Sequence, residues 1–215
     1  MIRDLLFTQD PYKGFDYKKY EYKPVPEWYG ESNELRNLVR ETVPATAVTI
    51  IEVGTWKGDS AICMADEMVK NAINGEVVCV DTWLGGAEFW TDKAGKEHFK
   101  DLDIINGYPA VYYQFLANVC HKNLQNIITP FPQTSIIASR VFKHYNITAD
   151  IVYIDASHEY DSVTEDLSAW WSLANKIICG DDIMLVPSVS KAVNDWANKN
   201  NLKIHASGNK WWIYK

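Results

Sequence analysis

One stretch of this sequence decides the fold: Ile51-Glu52-Val53-Gly54-Thr55-Trp56-Lys57-Gly58-Asp59-Ser60. Its first residues end a β-branched, apolar run at 47–53, which predicts a buried strand. Its last residues begin an amphipathic segment, 59 to about 73, which predicts a helix. Glycine in the connecting loop lets the backbone take a positive φ and lets a ligand approach closely. The stretch therefore predicts a strand, a ligand-binding loop and a helix, the opening unit of an α/β domain.

Strand-like and helix-like segments alternate along the rest of the chain. Apolar runs follow at residues 76–81, 127–130, 151–155 and 176–180. Segments with helical spacing lie at 109–119, 135 to about 144, 162 to about 174 and 188–200. The third of these helices opens with a capping-box pattern at Ser162 and Glu165. Residues 202–207 and 210–214 flank Gly208-Asn209, which is a hairpin signal. The expected fold class is α/β: a doubly wound, Rossmann-like, mostly parallel sheet flanked by helices, with a C-terminal antiparallel hairpin.

Residues 1–44 are predicted to be an N-terminal arm and a first helix. The first thirty residues, which include Trp28, are rich in Tyr, Lys and Pro and show no steady period. They therefore predict an irregular arm, which could pack on the domain, cover a site or join a homodimer contact. Ser32 is a suitable N-cap for a helix that runs to about residue 42, and Pro44 ends that helix.

Residues 45–215 are predicted to form one domain with a lid-like insertion at 82–108. Long connections inside a compact domain are usually lids or binding loops. The insertion is rich in glycine and aromatic residues: Trp83, Gly85, Gly86, Phe89, Trp90, Gly95, Gly107 and Tyr108. We expect the insertion and the arm to select the molecule that the protein acts on.

The composition limits the partners and the compartment. The 215 residues carry 21 Lys and Arg against 28 Asp and Glu, a net charge of -7, so a nucleic acid is not an expected partner. No apolar run is long enough to span a bilayer, and the first residues lack a signal peptide. The four cysteines form no Cys-x-x-Cys pair, so free thiols and a reducing, cytoplasmic location are expected.

The loop after the first strand discriminates between ligands. A dinucleotide fingerprint needs Gly-x-Gly-x-x-Gly, but Trp56 fills the middle glycine position. A triphosphate-binding loop needs Gly-Lys-Ser/Thr, but Asp59 stands where the lysine belongs. Glu52, just before the first glycine, can receive the ammonium of a bound amino acid. Asp81, at the end of the second strand, can accept both ribose hydroxyls of a nucleoside.

Further acidic residues end the fourth and fifth predicted strands. Asp155 ends the fourth strand, and the pair Asp181 and Asp182 ends the fifth. These strands are neighbours in a doubly wound sheet, so the three carboxylates converge and would raise one another's pKa. Oxygen-rich sites suit a hard cation such as Mg²⁺. His158 follows in the next loop and could remove a proton from an acceptor.

At these residues the chain resembles class I S-adenosylmethionine-dependent methyltransferases. Residues 52–60 look like the first motif of the metal-dependent O-methyltransferases, the group that includes catechol O-methyltransferase. A closer likeness, over most of residues 47–215, is to the small methyltransferases related to macrocin O-methyltransferase. That likeness is carried, in order, by residues 80–85, 113–119, 154–160, 180–182 and 208–211.

The resemblance implies a cofactor, a metal and roles for individual residues. The cofactor is S-adenosylmethionine, with its methionine part near Glu52 and Gly54, its ribose on Asp81 and its adenosine beside Trp83. The implied cofactor-binding residues are Glu52, Gly54, Thr55, Gly58, Ser60, Asp81, Thr82, Trp83, Thr134, Ser135 and Asp155. Thr134 and Ser135 fall where relatives contact adenine, although the residues before them depart from the usual glycine. Asp155 and His158 would be catalytic, and Asp155, Asp181 and Asp182 would hold Mg²⁺.

The resemblance also implies methyl transfer to a hydroxyl of a small acceptor, with a sugar as the first choice. Three other functions remain open from the sequence. One is a metal-dependent hydroxylase related to cephalosporin hydroxylase, which shares this fold and acid pattern. A second is a nicotinamide-dependent dehydrogenase, against which the glycine spacing argues. The third is a non-catalytic protein that binds S-adenosylmethionine.

Overall fold

A central sheet flanked by helices organises the protein. The computed structural model describes residues 1–24, 32–42, 47–91 and 98–215, so Trp28, Pro44 and Gly95 lie outside the described residues. The strands are β1 (Val48–Val53), β2 (Gly75–Asp81), β3 (Ile104–Ile105), β4 (Tyr108–Pro109), β5 (Ile128–Pro132), β6 (Ala149–Ile154), β7 (Ala174–Gly180), β8 (His205–Ser207) and β9 (Lys210–Tyr214). The helices are α1 (Ile2–Leu6), α2 (Asn33–Glu41), α3 (Asp59–Lys70), α4 (Ala87–Thr91), α5 (Val111–His121), α6 (Ser135–His144), α7 (Tyr160–Trp171) and α8 (Pro187–Lys199). Among the described residues, none of these helices combines the length and the apolar character needed to cross a membrane.

Seven of the strands form one sheet in the order β5-β2-β1-β6-β7-β9-β8. The first five in that order are parallel, whereas β9 runs antiparallel to β7 and to β8. This topology confirms the predicted α/β class, the mostly parallel sheet and the C-terminal hairpin. The chain order reverses between β1 and β6, and ligands bind in the crevice at the carboxyl ends of such strands.

Apolar side chains cover both faces of the sheet. Along β1, Ile51 and Val53 pack on one face and Val48 and Ile50 on the other, because successive side chains of a strand alternate. Helices α6, α7 and α8 cover the first face, and α2, α3 and α5 cover the second. Burial on both faces explains why the parallel strands are continuous apolar runs in the sequence.

The N-terminal arm packs on the domain at the edge strand β5. The buried Arg3 side chain donates from Nε to Thr129 Oγ1 at 3.1 Å and from its guanidinium to the Ile128 oxygen at 2.7 Å. The Tyr12 hydroxyl donates to the same oxygen at 3.0 Å. The prediction of an irregular arm is wrong at its start, where α1 forms and brings Arg3 to the edge of the sheet.

The predicted insertion at 82–108 contains more regular structure than a loop. It includes α4, a 3-10 turn at Phe99–Leu102 and the antiparallel pair β3–β4. Asn106 and Gly107, both at positive φ, make the tight turn of that pair. Because Pro109 belongs to β4, helix α5 begins at Val111, two residues later than predicted.

The capping box predicted at Ser162 and Glu165 is wrong. Helix α7 begins at Tyr160 with Glu159 as its N-cap, so Ser162 already lies inside the first turn. Ser162 and Glu165 have the spacing of a capping box, but Ser162 lies three residues after the actual N-cap, Glu159. The N-cap predicted for α2 is confirmed, since Ser32 accepts a hydrogen bond from the Leu35 amide.

Gly54 follows β1 at a point where two backbones touch. Its φ is +87°, and a Cβ built there would lie 2.1 Å from the backbone oxygen of Asp155. The Asp155 amide donates to the Val53 oxygen at 2.8 Å, which holds the ends of β1 and β6 side by side. Glycine alone suits both this backbone angle and this space.

We expect Gly54→Ala to destabilise the protein much more than Gly107→Ala. Gly107 has a similar φ of +82°, but no atom lies within 4 Å of the place where its Cβ would be. Both substitutions put alanine in the left-handed region, which costs about 1–2 kcal/mol, and only Gly54→Ala adds a clash with Asp155. The free energy of unfolding in urea, measured for both variants, checks this. Equal losses would contradict the close contact at Gly54.

Candidate active site

A cavity of about 480 Å³ opens at the carboxyl ends of β1, β2, β5 and β6. Its volume lies within the range of about 300–1,000 Å³ that is usual for small-molecule sites. The predicted cofactor residues that line it are Gly54, Thr55, Ser60, Asp81, Thr82, Thr134, Ser135 and Asp155. His158 lines it as well, whereas Glu52, Gly58 and Trp83 do not.

Glu52 lies beneath the loop that follows β1. Its side chain is 0% exposed and accepts hydrogen bonds from Thr55 Oγ1, at 2.9 Å, and from the Ser60 hydroxyl. Burial raises the pKa of Glu52 to about 8, although the hydrogen bonds from Ser60 and Thr55 act in the opposite direction. This position differs from the expected ammonium acceptor, because both carboxylate oxygens are already used to tie the loop to α3.

Asp81 organises two loops at once. Its Oδ2 accepts the backbone N–H groups of Thr55, at 2.9 Å, and Trp56, at 2.7 Å, and its Oδ1 accepts that of Trp83 at 2.7 Å. Burial raises its pKa, while these backbone hydrogen bonds oppose that rise. A carboxylate offers about four acceptor positions. Asp81 at the cavity wall therefore keeps capacity for a ligand hydroxyl.

Trp83 belongs to the core and not to the cavity wall. It is 1% exposed, and its ring lies 4.9 Å from that of Tyr112 and 5.0 Å from that of Phe115, measured between centroids. Its indole N–H donates to the Trp56 oxygen at 2.7 Å. The aromatic residues that line the cavity are Trp56 and Phe89, whose rings pack 4.5 Å apart between centroids. The sequence leaves open whether Trp56 lines a pocket or packs in the core, and the structure shows it on the cavity wall.

Thr134 and Ser135 line the opposite wall, where β5 leads into α6. Thr134 is the N-cap of α6 and accepts from the Ile137 amide. The Ser135 hydroxyl donates to Asp166 and accepts from the Trp170 indole N–H at 2.8 Å. The Ser135 hydroxyl is therefore hydrogen-bonded to two side chains of α7 behind the cavity wall, while the start of α6 lines the cavity.

Asp155, His158 and Asp182 form a compact group beside the cavity. One ligand atom of each lies within 4.8 Å of the others. His158 Nε2 is 2.9 Å from Asp182 Oδ2, and this hydrogen bond raises the pKa of His158. Burial, followed by the nearby charge of Asp181, raises the pKa of Asp155 to about 7. Burial alone would raise the pKa of Asp182, but its hydrogen bonds with His158 and Asn209 lower it.

Asp181 is engaged elsewhere, which differs from the three-aspartate site expected from the sequence. The Lys210 ammonium donates to Asp181 and, at 3.1 Å, to the hydroxyl of Tyr153. That hydroxyl in turn donates to Asp155 Oδ2 at 3.1 Å. Lys210 and Tyr153 were not predicted to belong to this site, because Lys210 comes next to Asp181 and Tyr153 only when β9 pairs beside β7.

Two carboxylates and an imidazole at this spacing fit a divalent cation. Oxygen ligands suit Mg²⁺ or Mn²⁺, and an imidazole adds affinity for Mn²⁺ and later transition metals. Asp155 and Asp182 are the carboxylates that would hold the ion, with His158 in reach of the same position. The Lys210 ammonium already balances the charge of Asp181.

Comparison with known proteins places this site in a family. Residues 51–183 match a family model described as a methyltransferase domain. The chain belongs to this methyltransferase family. It is thus an enzyme of the S-adenosylmethionine-dependent methyltransferase class, as the resemblance implied. Comparison with curated protein sequences gives no match.

Solved structures share the fold of this methyltransferase at low sequence identity. The O-methyltransferase NovP is 16% identical with a TM-score of 0.59, covering 84% of this chain and 77% of its own. The calicheamicin methyltransferase CalS11 is 18% identical with a TM-score of 0.59, covering 84% and 76%. An O-methyltransferase from Bacillus cereus, solved in complex with SAH, is 14% identical with a TM-score of 0.58, covering 100% and 95%.

We expect Glu52→Gln to change how the stability of the methyltransferase depends on pH. The folded-state pKa of Glu52, about 8, lies above its ordinary value of 4.5. Its contribution to stability is therefore full below about pH 4.5 and is lost as the pH rises through 8. The neutral amide of the variant does not titrate, so the free energy of unfolding of the variant should rise relative to that of the wild type between pH 5 and pH 8. One pKa unit corresponds to about 1.4 kcal/mol, which makes the gain a few kcal/mol.

Thermal or urea unfolding of both proteins at several pH values measures this gain. Glu21→Gln, which removes an exposed carboxyl from the arm, is the matched control and should follow the wild type. A constant difference between Glu52→Gln and the wild type across this pH range would contradict the raised pKa.

Proposed function

We propose that this enzyme transfers the methyl group of S-adenosylmethionine to a hydroxyl of a small acceptor, with a sugar as the first choice and with a divalent cation such as Mg²⁺. The observation that carries the proposal is the group Asp155, His158 and Asp182 beside the cavity, which Asp155 and His158 line. A paired imidazole beside two carboxylates can take a proton from a hydroxyl, which is what O-methylation requires.

The charges of the cavity support the cofactor. When bound, S-adenosylmethionine supplies a methyl group on a positively charged sulfonium. The lining residues include five carboxylates: Asp59, Asp81, Glu88, Asp155 and Glu159. Lys57 is the one Lys or Arg among the described lining residues, and its ammonium is paired with Asp101 at 3.3 Å. An acidic wall of this kind favours a cationic ligand over a dinucleotide with its negative pyrophosphate.

Different parts of the cavity wall bind different parts of the cofactor. Asp81 accepts a ribose hydroxyl from the side that its backbone partners leave open. Gly54 lines the cavity at the end of β1, and because it has no side chain the methionine part can approach its backbone closely. Thr134 and Ser135 present the start of α6 to the adenine. A cofactor bound at these residues would carry its methyl group on the side of the cavity that Asp155 lines.

His158 removes the acceptor proton. Its side chain is 47% exposed, so an acceptor can reach it, while Asp182 fixes one ring nitrogen at 2.9 Å. Asp182 orients the imidazole and stabilises the imidazolium that forms, as a carboxylate does in other acid–base pairs. Asp155 and Asp182 would hold the divalent cation, which would lower the pKa of the acceptor hydroxyl when bound. The rest of the rate enhancement comes from aligning the acceptor oxygen with the methyl group, because methyl transfer is a direct displacement.

A sugar is supported by the surroundings of the site and by one relative. Trp90 and Leu84 are partly exposed in the insertion that borders the cavity, and Tyr108 lies in the same insertion with an exposed ring. Aromatic rings suit the apolar faces of sugars. The relative CalS11 is a TDP-rhamnose 3'-O-methyltransferase. We extend a sugar acceptor to this chain by that analogy.

Location and assembly belong to the same proposal. The four cysteines, Cys63, Cys79, Cys120 and Cys179, are free thiols, which supports a reducing, cytoplasmic compartment. The domain division at residue 45 and the homodimer contact of the arm stay predictions.

We expect the purified protein to bind S-adenosylhomocysteine with micromolar affinity and not to bind NAD. Asp81→Ala should weaken binding about tenfold or more, because a hydrogen bond to a charged group is worth about 1.5–3 kcal/mol and about 1.4 kcal/mol is a factor of ten. Calorimetric titration measures both affinities. Asp161→Ala, which removes an exposed carboxyl, is the control, and circular dichroism checks that Asp81→Ala remains folded. Binding of NAD without the thioether would move the protein to the dehydrogenases.

We expect His158→Ala to lose about 100- to 10,000-fold in methyl transfer, the range typical for a general base, while its affinity for S-adenosylhomocysteine is kept. Mass spectrometry of products from a panel of sugars identifies an acceptor by the gain of one methylene. His144→Ala, an exposed histidine on α6, is the control. A gain of one oxygen would instead indicate the hydroxylase. Unchanged turnover in His158→Ala would remove this residue from the mechanism.

A further inference from the structure

Asn209 makes an unusual number of contacts for a residue in a hairpin turn. Its backbone oxygen accepts the Ile183 amide at 3.2 Å. Its side-chain oxygen accepts the amides of Met184, at 3.1 Å, and Leu185, at 3.2 Å. Its side-chain amide donates to Asp182 Oδ1 at 2.8 Å. All four bonds go to the segment 182–185 that follows β7.

The turn itself does not require these contacts. Gly208 has the positive φ of the turn, at +54°, whereas Asn209 does not have a positive φ. A residue at position 209 could therefore complete the turn without a carboxamide. The amide group of Asn209 is used on a different part of the chain, beside the active site.

Asp182 depends on this contact for its direction. Its φ is +65°, in the region that residues other than glycine rarely adopt. Asn209 holds Oδ1, and His158 lies 2.9 Å from Oδ2. With one oxygen fixed by the turn, the other is directed toward Asp155 and His158.

We propose that Asn209 is a positioning residue, which fixes Asp182 for the divalent cation and for His158 and ties that orientation to the backbone of residues 183–185. This inference rests on the cation of the proposed function, but not on the cofactor or the acceptor. It also gives the segment 183–185 a defined place. Met184 and Leu185, each 75% exposed, are held through their backbone N–H groups by the same side chain that bonds Asp182.

The test compares Asn209→Ala and Asn209→Gln with the wild type, using Mn²⁺ alone as the probe. Residues that orient a metal ligand typically contribute 10- to 100-fold to metal affinity. We expect a loss of about that size in Asn209→Ala and a partial recovery in Asn209→Gln, which keeps the donor and the acceptor. Hydrogen exchange at the amides of Met184 and Leu185 should become faster in Asn209→Ala.

Asn200→Ala is the matched control, since Asn200 also donates from its side-chain amide, to the Trp196 oxygen at 2.8 Å, at the end of α8. It should keep the Mn²⁺ affinity of the wild type. Faster exchange in Asn209→Ala with unchanged Mn²⁺ affinity would overturn the proposal, because Asn209 would then hold only the loop. Absence of Mn²⁺ binding in the wild type would overturn both the cation and this role. S-Adenosylhomocysteine binding, measured in the same samples, would show whether the cofactor part of the proposed function still stands.

Discussion

The carboxylate of Asp81 is the contact on which the two loops at this edge of the cavity depend. It accepts three backbone N–H groups from two loops, those after β1 and β2. Two of these groups belong to Trp56 and Trp83, bulky residues that both have a positive φ. Such backbone angles persist only where neighbouring contacts determine them. The Asp81 carboxylate at the end of β2 therefore shapes both loops. It holds Trp56 at the cavity wall and Trp83 in the core.

The methyltransferase keeps several acids in unfavourable surroundings at the same sheet edge. Burial raises the pKa of Glu52 and of Asp155, and Asp181 is stabilised by Lys210. A core built for stability alone would avoid such groups, because buried charges must be paired or neutralised. Their concentration where β1, β6 and β7 end separates this edge from the rest of the sheet. The same concentration is typical of functional sites, where perturbed pKa values gather.

The sequence predicted the parts of the fold that local patterns control. Apolar runs located the parallel strands, and acids at their ends located Asp81 and Asp155 at one edge. Side-chain directions were not predictable, because they depend on packing between distant segments. Trp83 lies in the core since Tyr112 and Phe115 of α5 receive its ring. Likewise, Asp181 is neutralised by Lys210 only because the antiparallel strand β9 pairs next to β7.

The late position of β9 gives the site an order of assembly. A chain is synthesised from its N-terminus, and its earlier segments can begin to fold first. The cavity walls come from β1, β2, β5 and β6, all of which precede the hairpin that carries Asn209 and Lys210. On the ribosome, the strands that line the cavity therefore emerge while Asp181 and Asp182 still lack these two partners. The walls of the cavity are encoded early in the chain, whereas the orientation of the two carboxylates beside it depends on the last residues to be synthesised.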